Sequence, residues 1–148
     1  CFPGGAIQQG ETPLQAAVRE ACEELLIRPE NIELIGASDF YHNVGMVVYP
    51  FVARLNGYGG SFSGDEVSEV FTVPLRHFME EEPFVYSSRL VREPDENFPY
   101  ELIYGGKDYK WPPREDSTLF YRLGERTLWG ISARIMNGFI KVLKGQDL

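Results

Sequence analysis

Three carboxylates, Glu20, Glu23 and Glu24, fall within five positions of FPGGAIQQGETPLQAAVREACEELLI, residues 2–27. No Lys or Arg lies between them. On a helix, at about 100° per residue, they share an arc of roughly 100°. Like charges three and four residues apart repel by a few tenths of a kcal/mol per pair. They also stand in the C-terminal half of the helix, where the macrodipole disfavours anions. Two readings account for them. One is a solvated acidic face. The other is a site for a hard divalent cation, Mg²⁺ or Mn²⁺, which binds through a few carboxylates, water and substrate phosphate. A bound cation would turn the repulsion into coordination.

The carboxylates need a helix to hold them, and residues 13–26 read as one. Thr12 suits the N-cap and Pro13 the first turn. Leu14, Val18, Ala21, Cys22 and Leu25 recur on one apolar stripe, opposite the acids. Ala16 and Ala17 flank the acids and leave the surface beside them bare, while Arg19 points to one side. Residues 32–38 and 45–55, rich in Val, Ile and Tyr, read as strands. Residues 67–74 read as a third strand and 75–81 as a short helix. Residues 84–91 and 100–105 suggest a hairpin, and 106–118 a loop. The second long helix is expected over 125–144, with Leu128, Ile131, Ile135, Phe139 and Val142 on one side and Gly145 as its stop. The elements make one mixed α/β domain, without internal repeat or low-complexity segment.

Composition narrows the function classes. A chain of 148 residues with 43% hydrophobic and 24% charged residues suits one globular domain. A net charge of −8 argues against nucleic-acid backbone binding. No apolar run approaches the roughly 20 residues that span a bilayer. Cys1 and Cys22 lie in no metal-ligand cluster, so zinc is not expected. Cys22, on the apolar side of the helix, reads as a buried free thiol. That suits a reducing compartment and a cytoplasmic location. His42 and His77 have no partner motif and read as structural or surface residues.

The spacing around the acids is specific. Gly5 is followed by five residues and Glu11, then by seven residues and Arg19-Glu20, then by Glu23-Glu24 and Ile27. This resembles the Nudix box, G-x5-E-x7-R-E-U-x-E-E-x-G-U, where U is aliphatic. All five charged positions match. Leu26 departs, standing where the box has the Gly that ends the helix, and implies strain or an extra turn there. The resemblance implies an α/β/α sandwich with a mixed sheet and hydrolysis of a nucleotide-linked diphosphate with Mg²⁺ or Mn²⁺. It implies Glu20 and Glu24 as principal metal ligands with Glu23 assisting. Glu11 and Arg19 would form a structural pair, and Gly4 and Gly5 would let the backbone pass close to the metal. Because the chain opens inside the motif, the first strand or strands are expected upstream of Cys1, and 1–148 is expected to be one N-terminally incomplete domain.

In this family the general base often lies outside the box. Residues 64–75, GDEVSEVFTVPL, hold Asp65, Glu66 and Glu69, of which Glu66 at the loop-to-strand junction is favoured. Solvated acids at a strand start are the bland alternative. The opening CFPGG, EVFTVPL (69–75) and LWGISARIM (128–136) together resemble coenzyme A pyrophosphatases, which give 3′,5′-ADP and 4′-phosphopantetheine. Residues 89–126 interleave aromatics with seven of the chain's 14 Lys and Arg. Among these, Arg89, Arg92 and Arg126 are candidates for a 3′-phosphate, although an acid-balanced solvated loop is an equal reading. Other possibilities remain open: a Nudix hydrolase for ADP-ribose, a dinucleotide or a nucleoside triphosphate, and a non-catalytic Nudix-like module. A small-molecule substrate is expected, with no nucleic-acid or membrane partner; the oligomeric state is not legible.

Overall fold

The computed structural model describes residues 1–43 and 45–145. Helix α1 spans Pro13–Leu25 and starts as its sequence dictates. The Thr12 hydroxyl accepts from the Gln15 backbone N–H, and the Gln15 side chain returns a bond to Thr12 N, a complete capping box. The helix stops where the family pattern stops it, but without glycine. Leu26 takes the left-handed conformation, φ 52° and ψ 46°, and donates its N–H back to the Cys22 carbonyl. Among the described residues it is the only non-glycine at positive φ. No extra turn forms, so Leu26 carries the strain. Its side chain is 61% exposed, so little burial is at stake. Leu26→Gly should therefore stabilise the chain by about 1 kcal/mol, roughly 2–4 °C in melting temperature. A thermal melt in which the variant loses stability would contradict this.

After a 3₁₀ turn at Pro29–Asn31, β1 (Ile32–Ala37) pairs antiparallel with β4 (Phe51–Leu55). Between them, β2 (Tyr41–Asn43) and β3 (Met46–Val48) form a small antiparallel pair. The single strand expected over 45–55 is thus two, separated at Tyr49-Pro50, because proline has no N–H for a ladder.

Helix α2 (Leu75–Glu80) is followed by β5 (Phe84–Leu90), β6 (Arg114–Leu123), β7 (Arg126–Trp129) and α3 (Gly130–Leu143). These three strands form one antiparallel sheet in the order β5-β6-β7. The core sits here. Phe78 of α2, Leu119 and Tyr121 of β6, Leu128 of β7, and Ala133 and Ile140 of α3 pack together, with Val73, Leu123 and Met136 against them. Phe78 meets the Tyr121 ring edge-on at 5.1 Å, and the Tyr121 hydroxyl bonds Asn137 Oδ1 at 3.2 Å. Among the described residues no helix is long and apolar enough to cross a membrane.

Several expectations need correction. The content is mixed α/β, but the described strands pair only antiparallel, in three separate sheets rather than one mixed sheet. Residues 67–74 form no strand. They lie beside β7 through side chains, with Glu69 bonded to Arg126 and Phe71 under its guanidinium at 4.9 Å, and no backbone ladder is made. The hairpin partner of β5 is not 100–105 but 114–123, since Tyr100–Leu102 winds into a 3₁₀ turn. The helix expected from 125 starts only at Gly130. Gly124, at φ 69°, opens a two-residue turn that sends 126–129 back along β6 as a strand. The buried face of α3 also differs. Ser132, Ala133, Gly138 and Ile140 face inward, while Val142 is exposed.

Candidate active site

Helix α1 carries the three acids, but their surroundings differ from a bare surface. Ala16, one turn before Glu20, is 3% exposed. The Glu20 side chain keeps only 16% of its surface, against 54% for Glu23. What covers this face is the chain just before the helix. Gly4 N donates to Glu24 Oε1 at 3.2 Å. A Cβ on Gly5 would overlap the Glu20 carboxylate, so any larger residue there would displace that carboxylate from its present place. Glu20 and Glu24, one turn apart, thus meet the Gly4–Gly5 backbone on the same side of α1.

Arg19 is the second organiser. It does not point away from the acids. Its Nε donates to Glu11 Oε1 at 2.8 Å and its Nη2 to Glu11 Oε2 at 3.2 Å. Its Nη1 reaches Glu20 Oε1 at 2.8 Å and Glu23 Oε2 at 3.1 Å, and Nη2 also reaches the Ala6 carbonyl. One planar guanidinium thereby ties the loop to three carboxylates, a geometry Lys cannot copy. The Arg19 bonds, with a backbone bond from Gln8, hold the Glu11 carboxyl below the usual carboxylate range. The same Glu11 and Glu20 bonds raise Arg19 above its ordinary value. The pair therefore stays ionised through neutral pH.

The donor set fits a hard divalent cation. The cradle at Gly5 holds one carboxylate beside another that the Gly4 N–H orients. Among the described residues no three His, Cys, Asp or Glu side chains lie close enough to form a complete protein cage. Mg²⁺ needs none, since it takes one or two carboxylates and completes its octahedron with water and phosphate. Glu20 and Glu24 would hold the ion, with Glu20 and Glu23 both also bonded to Arg19.

Glu66 lies in an exposed turn at 64–66, after loop 58–63. That loop is bound to the end of α1, with Ser63 N on the Glu24 carbonyl at 2.8 Å and Ser61 Oγ on the Leu25 carbonyl at 2.7 Å. Neither serine carries a sequence signal that singles it out. The cations expected to meet substrate are divided. Arg126 is committed to Glu69 through bonds of 3.0 and 2.6 Å, which lower the Glu69 pKa and raise that of Arg126. Arg92 lies over the Trp111 ring at 4.7 Å, in a cluster with Phe98, Tyr100 and Tyr109. Arg89 is exposed on β5, across from Glu115, and makes no ion pair among the described residues. Cys1 and Cys22 are free thiols, and burial raises the pKa of Cys22. His77 bonds the Arg122 carbonyl, a structural contact. A cleft of about 540 Å³ opens between Cys1, His42, β6, β7 and the start of α3, but none of the box carboxylates lines it.

A family model described as "NUDIX domain" matches residues 1–93. "Nudix hydrolase 3" of Caenorhabditis elegans is 25% identical over 97% of this chain and 59% of its own length. "Peroxisomal coenzyme A diphosphatase NUDT7" of Mus musculus is 33% identical over 66% of this chain and 42% of its own. An "Uncharacterized Nudix hydrolase NudL" of Citrobacter koseri is 42% identical over 50% of this chain and 40% of its own. The chain thus spans between two fifths and three fifths of these relatives' lengths.

Proposed function

The chain belongs to the Nudix family, whose hydrolases use a divalent metal ion, and on that premise we propose that it hydrolyses the diphosphate bond of coenzyme A or a derivative. The products are 3′,5′-ADP and 4′-phosphopantetheine. The carrying observation is the pair Glu20 and Glu24, brought to one side of α1 and seated against the Gly4–Gly5 backbone. Mg²⁺ or Mn²⁺ is the cofactor, and when bound it supplies positive charge that offsets the negative oxygens of the diphosphate.

The remaining work falls to the chain. Glu20 and Glu24 present the anchoring oxygens. Gly4 N–H and Arg19 keep those carboxylates in place before substrate arrives, which spares reorganisation during the reaction. Glu66 accepts the proton of the attacking water as its oxygen bonds to phosphorus and the bridging P–O bond breaks. The electron pair of that bond leaves on the second phosphate.

The similarity to the mouse coenzyme A diphosphatase supports CoA as substrate. Its 3′-phosphate needs a cation; among the described residues Arg126 is paired with Glu69, Arg89 makes no ion pair, and Arg92 stands beside an aromatic cluster that suits adenine. A charge-assisted bond there contributes roughly 1.5–3 kcal/mol, about tenfold or more in discrimination. CoA should therefore show a higher kcat/KM than 3′-dephospho-CoA, and Arg89→Gln should narrow that gap without slowing dephospho-CoA. Equal rates on the two, or a clear preference for ADP-ribose, would move the substrate to another nucleotide-linked diphosphate.

A further inference from the structure

The C-terminal end of α1 leaves backbone carbonyls without intrahelical donors. The Cys22 carbonyl is taken by the N–H groups of Leu26 and Ile27. Those of Glu24 and Leu25 are satisfied from a distant loop, by Ser63 N at 2.8 Å and by the Ser61 hydroxyl at 2.7 Å. Ser61 is itself held, since the Tyr58 hydroxyl donates to its carbonyl at 2.5 Å. Ser63 in turn starts the next turn, its carbonyl accepting from Glu66 N at 3.3 Å and Val67 N at 2.9 Å. A continuous hydrogen-bonded path therefore runs from the carboxylate-bearing helix to the residue that carries the Glu66 side chain.

We propose that Ser61 is a positioning residue for the hydrolysis, pinning the Glu66-bearing turn to the end of α1 and so fixing that carboxylate relative to Glu20 and Glu24. The inference rests on Glu66 as proton acceptor in the function given above. Two pins, two residues apart, fix both the place and the direction of the loop. The Ser63 pin is a backbone N–H, which a side-chain change leaves intact. Removing the Ser61 hydroxyl leaves one pin, about which the turn can pivot. A displacement near 1 Å at a reacting group costs on the order of a hundredfold in rate. The pinned carbonyls, of Glu24 and Leu25, immediately precede the left-handed Leu26 at the helix end.

The test is a double-mutant cycle on the full chain with CoA and Mg²⁺, and with ADP-ribose in parallel. It uses Ser61→Ala, Ser61→Thr, Glu66→Gln and the double variant Ser61→Ala/Glu66→Gln. Ser61→Ala should lower kcat by about tenfold to a hundredfold with KM little changed. Ser61→Thr, which keeps the hydroxyl, should restore most of kcat. In the Glu66→Gln background Ser61→Ala should cost nothing further, because both changes remove the same contribution. Equal losses with and without Glu66, or full activity in Ser61→Ala, would overturn the inference while leaving the enzyme's function intact. Full activity in Glu66→Gln would overturn it on other ground, by removing the group that Ser61 positions. A wild-type chain that cleaves neither substrate fails earlier, on the function itself, and takes the inference with it.

Discussion

Replacing Glu24 with Gln is expected to lower turnover by roughly 10³-fold or more at saturating Mg²⁺, with the fold retained. Gln keeps the shape of the side chain and a carbonyl oxygen, so the Gly4 N–H keeps its acceptor and the loop stays seated on the helix. What disappears is one of the two charges that meet the glycine backbone. The loss also relieves repulsion with Glu20 one turn earlier, worth a few tenths of a kcal/mol. Stability should therefore hold or rise slightly in a denaturant titration while the rate collapses. Unchanged turnover in the variant would contradict the metal-site assignment. Loss of both fold and rate would assign Glu24 to structure alone.

Glu66→Gln is expected to cost roughly 10²–10⁴ in kcat, the usual worth of a general base, with metal affinity little changed. Glu69→Gln is the matched control. It lies three residues on, but its carboxylate is bound by Arg126 at 2.6 and 3.0 Å. That pair is exposed to solvent and screened, so its loss should leave both stability and turnover near wild type. The reverse pattern, a large loss at Glu69 and none at Glu66, would mean the neighbouring carboxylate is the base.

Much of the site could be read from local sequence because its parts are local. The N-cap at Thr12 and the start at Pro13 follow from adjacent residues, and the pairing of Arg19 with Glu11 follows from the resemblance to the Nudix box. The direction of Arg19 is not legible in this way. Helical angle alone points it aside, yet its long side chain turns back to Glu20 and Glu23, where charge compensation outweighs the angle. The burial of Ala16 is equally hidden, because side-chain spacing on the helix alone leaves that face bare. Strands were harder. Residues 67–74 have β-branched content but no ladder, and a strand exists only where a neighbour completes it. The apolar period after residue 125 spans a strand and a helix joined at Gly130, where φ 62° breaks the continuity that periodicity assumes. Ser61 was invisible for the same reason as the ladders: its partner is 36 residues away.

The central claim is that this chain breaks a nucleotide-linked diphosphate with a divalent cation held by Glu20 and Glu24. Product identification by mass spectrometry tests it most directly, against a panel of CoA, ADP-ribose, NADH and a nucleoside triphosphate, with Mg²⁺ or Mn²⁺ and with excess chelator. The account predicts 3′,5′-ADP and 4′-phosphopantetheine from CoA, faster than products from any other panel member, and none when the metal is chelated. Intact CoA beside a cleaved panel member would contradict the substrate, and products that persist in chelator would contradict the metal site.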